Sequence, residues 1–248
     1  PWVLRVKRGA SNRADVPGLC HVFMSRFGVP VKPSLKVALV TSATALVLLV
    51  AVLIFVLVRQ DSPAPPTSND GPKVIRESSQ VLDEGGEDAV TVVEFLDFEC
   101  EACGAFYPVV EELRKEFEGE ITYVVRYFPL QGHFNSKNAA IAAEAAAQQG
   151  QFEDMYHQLF ESQAEWGEAK DSRADLFRGF AEEIGLDMAA FDAAVADPAT
   201  AERVEVDVNE GLALGVTGTP TFFVDGEMVQ LQNWDDLANA IQSAVDGR

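Results

Sequence analysis

The spacing of apolar positions changes several times along this chain, and each change marks an element. Residues 89–98 (AVTVVEFLDF) form a β-branched apolar run of strand length, broken only by Glu94 and Asp97. After Cys100 the period becomes helical: Phe106, Val109, Val110, Leu113 and Phe117 recur on one face until Gly119 closes the segment. Residues 121–130 (ITYVVRYFPL) predict a second strand, and a strand-helix-strand order implies a right-handed crossover with parallel strands. Residues 135–214 are helical in pattern, punctuated by Gly150, Gly167, Gly185, Pro198 and Gly215, with a tightly packed alanine-rich helix over 139–147. A strand over 221–224, the turn Asp225-Gly226 and a strand over 227–231 predict a hairpin. Leu237, Ile241 and Val245 then share one face of a final helix over 234–245, with Asn233 as its expected N-cap. The class is α/β, with a helical block between strands.

The N-terminal part has another texture. Residues 37–58 run for 22 positions without a charge, which as a helix reaches roughly 33 Å and matches a hydrocarbon core of about 30 Å. A cleaved signal peptide is the competing reading, but the run exceeds the usual apolar region and is followed by Arg59-Gln60-Asp61, a poor cleavage site. One N-terminal transmembrane helix is therefore expected. Residues 1–36 form a basic tail ahead of it, and a translation start at Met24 would shorten that tail. Residues 59–72 carry four prolines and little that can pack, as a semi-extended linker does, leaving 73–248 as the folded domain.

Charge orients this arrangement. Residues 1–58 hold seven basic residues and one acidic residue, whereas residues 59–248 hold 12 basic and 38 acidic residues, a net −26. Basic residues flanking a span stay in the cytoplasm, so the acidic domain is expected outside, where disulfides persist. A domain so acidic repels phosphate backbones, which argues against nucleic acid as a partner.

Among three cysteines only Cys100 and Cys103 are neighbours, and Cys20 lies across the expected span from them. A Cys-x-x-Cys at a strand-to-helix junction places the first thiol where unpaired N–H groups and the helix dipole favour a thiolate. That is the attacking species in disulfide exchange, and the second cysteine can then resolve the mixed disulfide. A zinc half-site would need two further ligands from the few histidines or Cys20. A structural disulfide closing so short a loop would add little stability.

Four segments carry a resemblance: EFLDFECEAC at 94–103, FPLQGH at 128–133, the helical block, and TGTPTFFVDG at 217–226. Their order resembles the DsbA-like thioredoxin-fold oxidoreductases, over roughly residues 72–246. The resemblance implies a thioredoxin-like sheet with an inserted helical domain. It implies that Cys100 is the nucleophile, Cys103 the buried resolving thiol, Pro220 a cis proline facing them, and Thr219 a backbone contact for substrate. Pro108, eight residues past Cys100, would bend the first helix as in thioredoxin.

Glu94 interrupts a strand that reads as buried, where such proteins carry an acid beneath the disulfide. Burial would raise its pKa and let it relay protons to Cys103. An outward-facing edge residue is the alternative. Arg126, similarly isolated on the next strand, is a candidate charge partner for Glu94. His133 follows the C-terminal end of that strand, where open sheets place their sites, although a loop-building role also fits. His157, beside Tyr156 and Phe160, reads as packing. The Glu-Ala dipeptide between the cysteines should disfavour the Cys100 thiolate, and Thr rather than Val before Pro220 occurs also in isomerases and reductases. The expected protein is a membrane-anchored thiol:disulfide oxidoreductase that needs no cofactor beyond the Cys100-Cys103 pair. It would oxidise exported proteins and be re-oxidised by a quinone-linked DsbB-like or VKOR-like membrane partner. A reductase, an isomerase and a tethered binding domain without activity remain open alternatives.

Overall fold

The computed structural model describes residues 73–248. The expected tail, span and linker lie outside the described residues, among which no helix is long and apolar enough to cross a membrane.

Five strands form one sheet in the order β1-β3-β2-β4-β5. Central β2 (Val90–Leu96) runs parallel to β3 (Ile121–Tyr127), with Val92 opposite Tyr123 and Glu94 opposite Val125. This is the predicted crossover, made by α1 (Glu101–Glu116), which continues through Pro108. On the other side β2 pairs antiparallel with β4 (Thr221–Val224), and β4 with the short β5 (Glu227–Met228). Asp225 and Gly226 take positive φ values of 48° and 85°, the conformation a two-residue hairpin needs. Edge strand β1 (Gln80–Asp83) was not expected: its four residues are at most half-buried and too few to show alternation.

The helical block resolves into α2 (Ser136–Ala147), α3 (Phe152–Glu161), α4 (Gln163–Trp166), α5 (Ala174–Ile184), α6 (Met188–Ala196) and α7 (Pro198–Ala213). Helix α2 lies at its centre, against α3, α5, α6 and α7, and buries Ala139, Ala140, Ala142, Ala143, Ala145 and Ala146. Methyl side chains on several faces let four neighbours approach, and larger ones would overpack by about 1–3 kcal/mol. Pro198 opens α7 at its first turn, where a missing N–H costs nothing, while the Asp197 carboxylate accepts from Ala199 N at 2.9 Å.

Period-two alternation in β2 divides the core. Val90, Val92 and Leu96 join α1, the inserted helices and α8 (Asp236–Val245) on one face. Val93 and Phe95 pack on the other with Val124, Phe128, Phe223 and Val208 of α7. Helix α7 lies so close to that face that a Cβ on Gly211 would come within 2.9 Å of the Phe128 ring. Asn233 does not cap α8. The Asp236 carboxylate instead accepts from the backbone N–H groups of Gln232 and Asn233 at 2.6 and 2.7 Å, turning the chain into the helix from inside its first turn.

Candidate active site

The dithiol sits where β2 ends and α1 begins. Cys100 is the N-cap of α1 in extended conformation, and Cys103 lies in the first turn, 1% exposed against 7% for Cys100. Both are free thiols. The Thr219–Pro220 peptide bond is cis, and the Thr219 carbonyl lies 3.4 Å from the Cys100 sulfur. The two segments, more than a hundred residues apart, meet because β4 pairs with β2.

The sulfurs are electrostatically unequal. The Cys100 pKa is held down to about 5, first by the hydrogen bond from Cys103, against burial, with further help from the backbone N–H groups of Cys103 and Ala102. Those N–H groups are the unpaired donors of a helix start, so the local fold itself favours the thiolate. Cys103 is pushed well above the usual thiol range, first by burial, then by its bond to Cys100 and the charge of Glu94. The Glu101 carboxylate between them is exposed to water, where its repulsion of Cys100 is screened.

Glu94 is 2% exposed and lies under α1 on the Val92 and Leu96 face. Burial pushes its pKa up to about 7, although the Tyr123 hydroxyl, donating at 2.7 Å, works in the opposite direction. Arg126 is not its partner. Glu94 is level with Val125 in the register and Arg126 with Phe95, so the two side chains leave opposite faces of the sheet. Arg126 is fully buried over the Phe95 ring and donates to Asp207 at 2.6 Å and Glu210 at 2.7 Å, both on α7.

His133 lies beside the motif, its Nδ1 2.6 Å from Asp97 Oδ2. Burial opposes its charge, but the hydrogen bond and charge of Asp97 prevail, and its pKa is raised, with the Cys100 thiolate contributing in the same direction. Asp97 also accepts from Glu99 N and Leu130 N, tying the motif loop to the segment after β3. His157 packs on the outer side of α1, where Tyr107 Oη lies 2.8 Å from its Nδ1.

Several residues that shape the site carried no signal along the sequence. Gln163 of α4 donates to the carbonyls of Phe98 and Cys100 at 2.8 and 2.9 Å, clamping the motif from the helical block. Its amide lies where a Cβ on Gly104 would be, 2.0 Å from Oε1, so the glycine creates room for the clamp. Buried Glu99 accepts from Asn135 N at 2.6 Å, and Asn135 holds the loop at 169–173 through three further bonds. The ligand atoms of Glu101, His133 and Glu168 come within 4.8 Å of one another, and both carboxylates are exposed. A cleft of about 950 Å³ beside Tyr107, Arg114 and His157 does not include the cysteines.

A thioredoxin-like sheet with an inserted helical block carries a Cys-x-x-Cys at a helix N-terminus opposite a cis proline, the arrangement that the resemblance to DsbA-like folds implies. A family profile described as Thioredoxin matches residues 84–243, and the chain belongs to that family. Among solved structures it resembles a thioredoxin-like oxidoreductase from Silicibacter pomeroyi, 27% identical with a TM-score of 0.59, covering 72% of this chain and 99% of that one. BdbD from Bacillus subtilis shares the fold at 24% identity and a TM-score of 0.60, over 71% of this chain and 97% of that one. A curated relative, Na+/H+ antiporter NhaA 1 of Salinispora arenicola, is 42% identical over 163 residues, 65% of this chain and 24% of its own length. The chain thus spans about a quarter of the length of that relative.

Proposed function

We propose that this domain oxidises thiols of exported proteins outside the cytoplasm, tethered by the apolar segment at 37–58, with Cys100 as nucleophile and Cys103 as resolving thiol. The observation that carries the reading is the inequality of the two sulfurs. In the oxidised state, a substrate thiolate attacks the Cys100 sulfur, the Cys100–Cys103 bond breaks, and Cys103 leaves as a thiolate that takes a proton from Glu94. A second substrate thiolate then attacks the substrate sulfur of the mixed disulfide and releases Cys100. The substrate loses two electrons to the Cys100–Cys103 disulfide, which becomes the dithiol. Cys100 is a good leaving group because its thiolate is stabilised, and the same stabilisation of the reduced form favours the oxidising direction. The Thr219 backbone, beside Cys100, would receive the substrate segment. A quinone-linked DsbB-like or VKOR-like membrane protein would take the electrons and restore the disulfide.

Trapping tests the division of labour. Cys103→Ala should accumulate mixed disulfides between Cys100 and exported proteins, whereas Cys100→Ala should trap almost none. In the reduced protein, alkylation at moderately acidic pH should label Cys100 well before Cys103. Equal labelling, or trapping through Cys103, would sink the assignment. A reporter fused after Arg248 should be active only outside the cytoplasm, and cytoplasmic activity would overturn the compartment. A strongly reducing potential would move the protein to the reductases, a reading that Thr219 before the proline keeps open.

A further inference from the structure

We propose that Tyr123 is the positioning residue for Glu94: its hydroxyl, donated from the neighbouring strand, orients the carboxylate beneath the dithiol and sets its proton exchange with Cys103. The inference rests on the reading of Cys100 and Cys103 given above.

Glu94 and Tyr123 are on adjacent parallel strands and the same sheet face, two register positions apart. The long phenol bridges that offset and brings its oxygen to 2.7 Å from Glu94 Oε2. Both residues are sealed from water, at 2% and 1% exposure. The groups that act on this pair are Cys100, Cys103 and Glu111 from α1 and Tyr156 from α3, with Arg114 acting at the two tyrosines. The groups felt most strongly at Glu94 itself are neutral or anionic, and Arg126, the cation one might pair with Glu94, serves the opposite face.

A buried carboxylate in such a setting would lose a large part of its ionised population without a donor. A neutral O–H donor stabilises the carboxylate without a fixed positive charge, which would hold it permanently ionised. The acid can then alternate: Glu94 takes the proton of Cys103 when that thiol must attack, and returns it when the Cys103 thiolate leaves. The hydroxyl also limits the carboxylate to one orientation, which proton transfer between two buried groups requires. Tyr156 is the internal contrast. Its hydroxyl is buried nearby and has no hydrogen-bond partner among the described residues, so it shares the packing but not the donation.

The experiment uses the full chain, with a glutathione mixed disulfide on Cys100 as probe. The rate at which Cys103 expels glutathione is followed against pH, and the Glu94 carboxyl band is titrated by infrared spectroscopy in the reduced protein, assigned by its loss in Glu94→Gln. Tyr123→Phe should move both inflections upward by about one pH unit, on the order of a tenfold change in the proton equilibrium. The alkylation profile of Cys100 should stay in place, and Tyr156→Phe should move neither inflection. A ring-fluorinated tyrosine at position 123, a stronger donor, should shift both downward, a result available even if Tyr123→Phe folds poorly. Inflections unmoved by either change, or a rate shift that persists in a Glu94→Gln background, would overturn the inference alone. A glutathione adduct that Cys103 never expels in the unmodified chain would overturn the parent reading and this inference with it.

Discussion

Glu94 and Arg126 occupy adjacent strands, each alone among apolar neighbours, and each is essentially sealed from water. Their surroundings differ completely. Arg126 meets two carboxylates from α7 and also donates to the carbonyls of Lys73 and Val74 at 3.0 and 2.9 Å. Glu94 has the hydroxyl of Tyr123 and three ionisable neighbours of its own sign, Cys100, Cys103 and Glu111. A buried charge whose hydrogen bonds are satisfied by opposite charges is fixed and holds elements together. A buried acid without such compensation sits close to neutrality at working pH and is free to exchange its proton. The isolation visible along the chain is shared, and the partner decides the role.

The largest expected effect comes from breaking the satisfied cluster. Arg126→Met keeps most of the side-chain volume but takes from buried Asp207 its fully buried cation, leaving it Arg203 at 2.7 Å and the backbone N–H of Tyr127 at 3.1 Å. Removing one partner of a buried ion pair costs about 3–5 kcal/mol, so the denaturation midpoint should fall steeply. The alkylation profile of Cys100 in the remaining folded protein should be unchanged, because the cluster lies on the other face of the sheet. A coupled change in Cys100 reactivity would mean that the two faces are not independent.

Glu94→Gln should do the reverse. With its folded pKa raised from 4.5 to about 7, Glu94 carries no penalty below about pH 4.5 and loses stability as pH rises through 7. Two to three pH units correspond to about 3 kcal/mol as an upper bound. Glutamine cannot ionise, so the variant should match the parent near pH 4.5 and exceed it above pH 7. Cys100 runs the other way, its depressed pKa adding stability to the reduced protein as pH rises above about 5. Taking the difference between variant and parent removes that contribution. Parallel stability curves across this range would show that Glu94 is not the buried acid described here.

These contrasts also show what could be read from sequence. The β2–motif–α1–β3 unit and the Asp225-Gly226 hairpin were legible because each rests on local period and turn chemistry. The burial of Glu94 was legible because the run around it is continuously apolar. Its lack of a paired cation was not, since register decides which face a neighbouring charge takes, and Arg126 falls one position out of phase. The partners of Arg126 lie 81 and 84 residues away, in a helix whose acidic pattern reads as a solvent face. Only afterwards does the spacing of Thr200, Val204, Asp207 and Gly211 stand out as one buried stripe. Gln163 and Tyr123 had no signal at all, because a glutamine in a short helix and a tyrosine in a strand are ordinary where they stand. Edge strand β1 was missed for want of length.

The smallest expected effect separates His133 from Glu94. The Cys100 thiolate is among the influences that raise the His133 pKa, and linkage is reciprocal, so a protonated His133 must lower the Cys100 pKa by the same amount. His133 is only part-buried, and solvent screens the interaction, so the coupling should be small. His133→Gln should therefore raise the Cys100 pKa slightly, in a way that fades in high salt, and should leave the pH profile of Cys103 resolution where it was. Measuring the Cys100 alkylation rate against pH at two ionic strengths checks this. No shift at low salt would limit His133 to holding the loop through Asp97. A shift as large in high salt would point instead to displacement of the motif, since Asp97 bonds both the imidazole and the backbone that leads into Cys100.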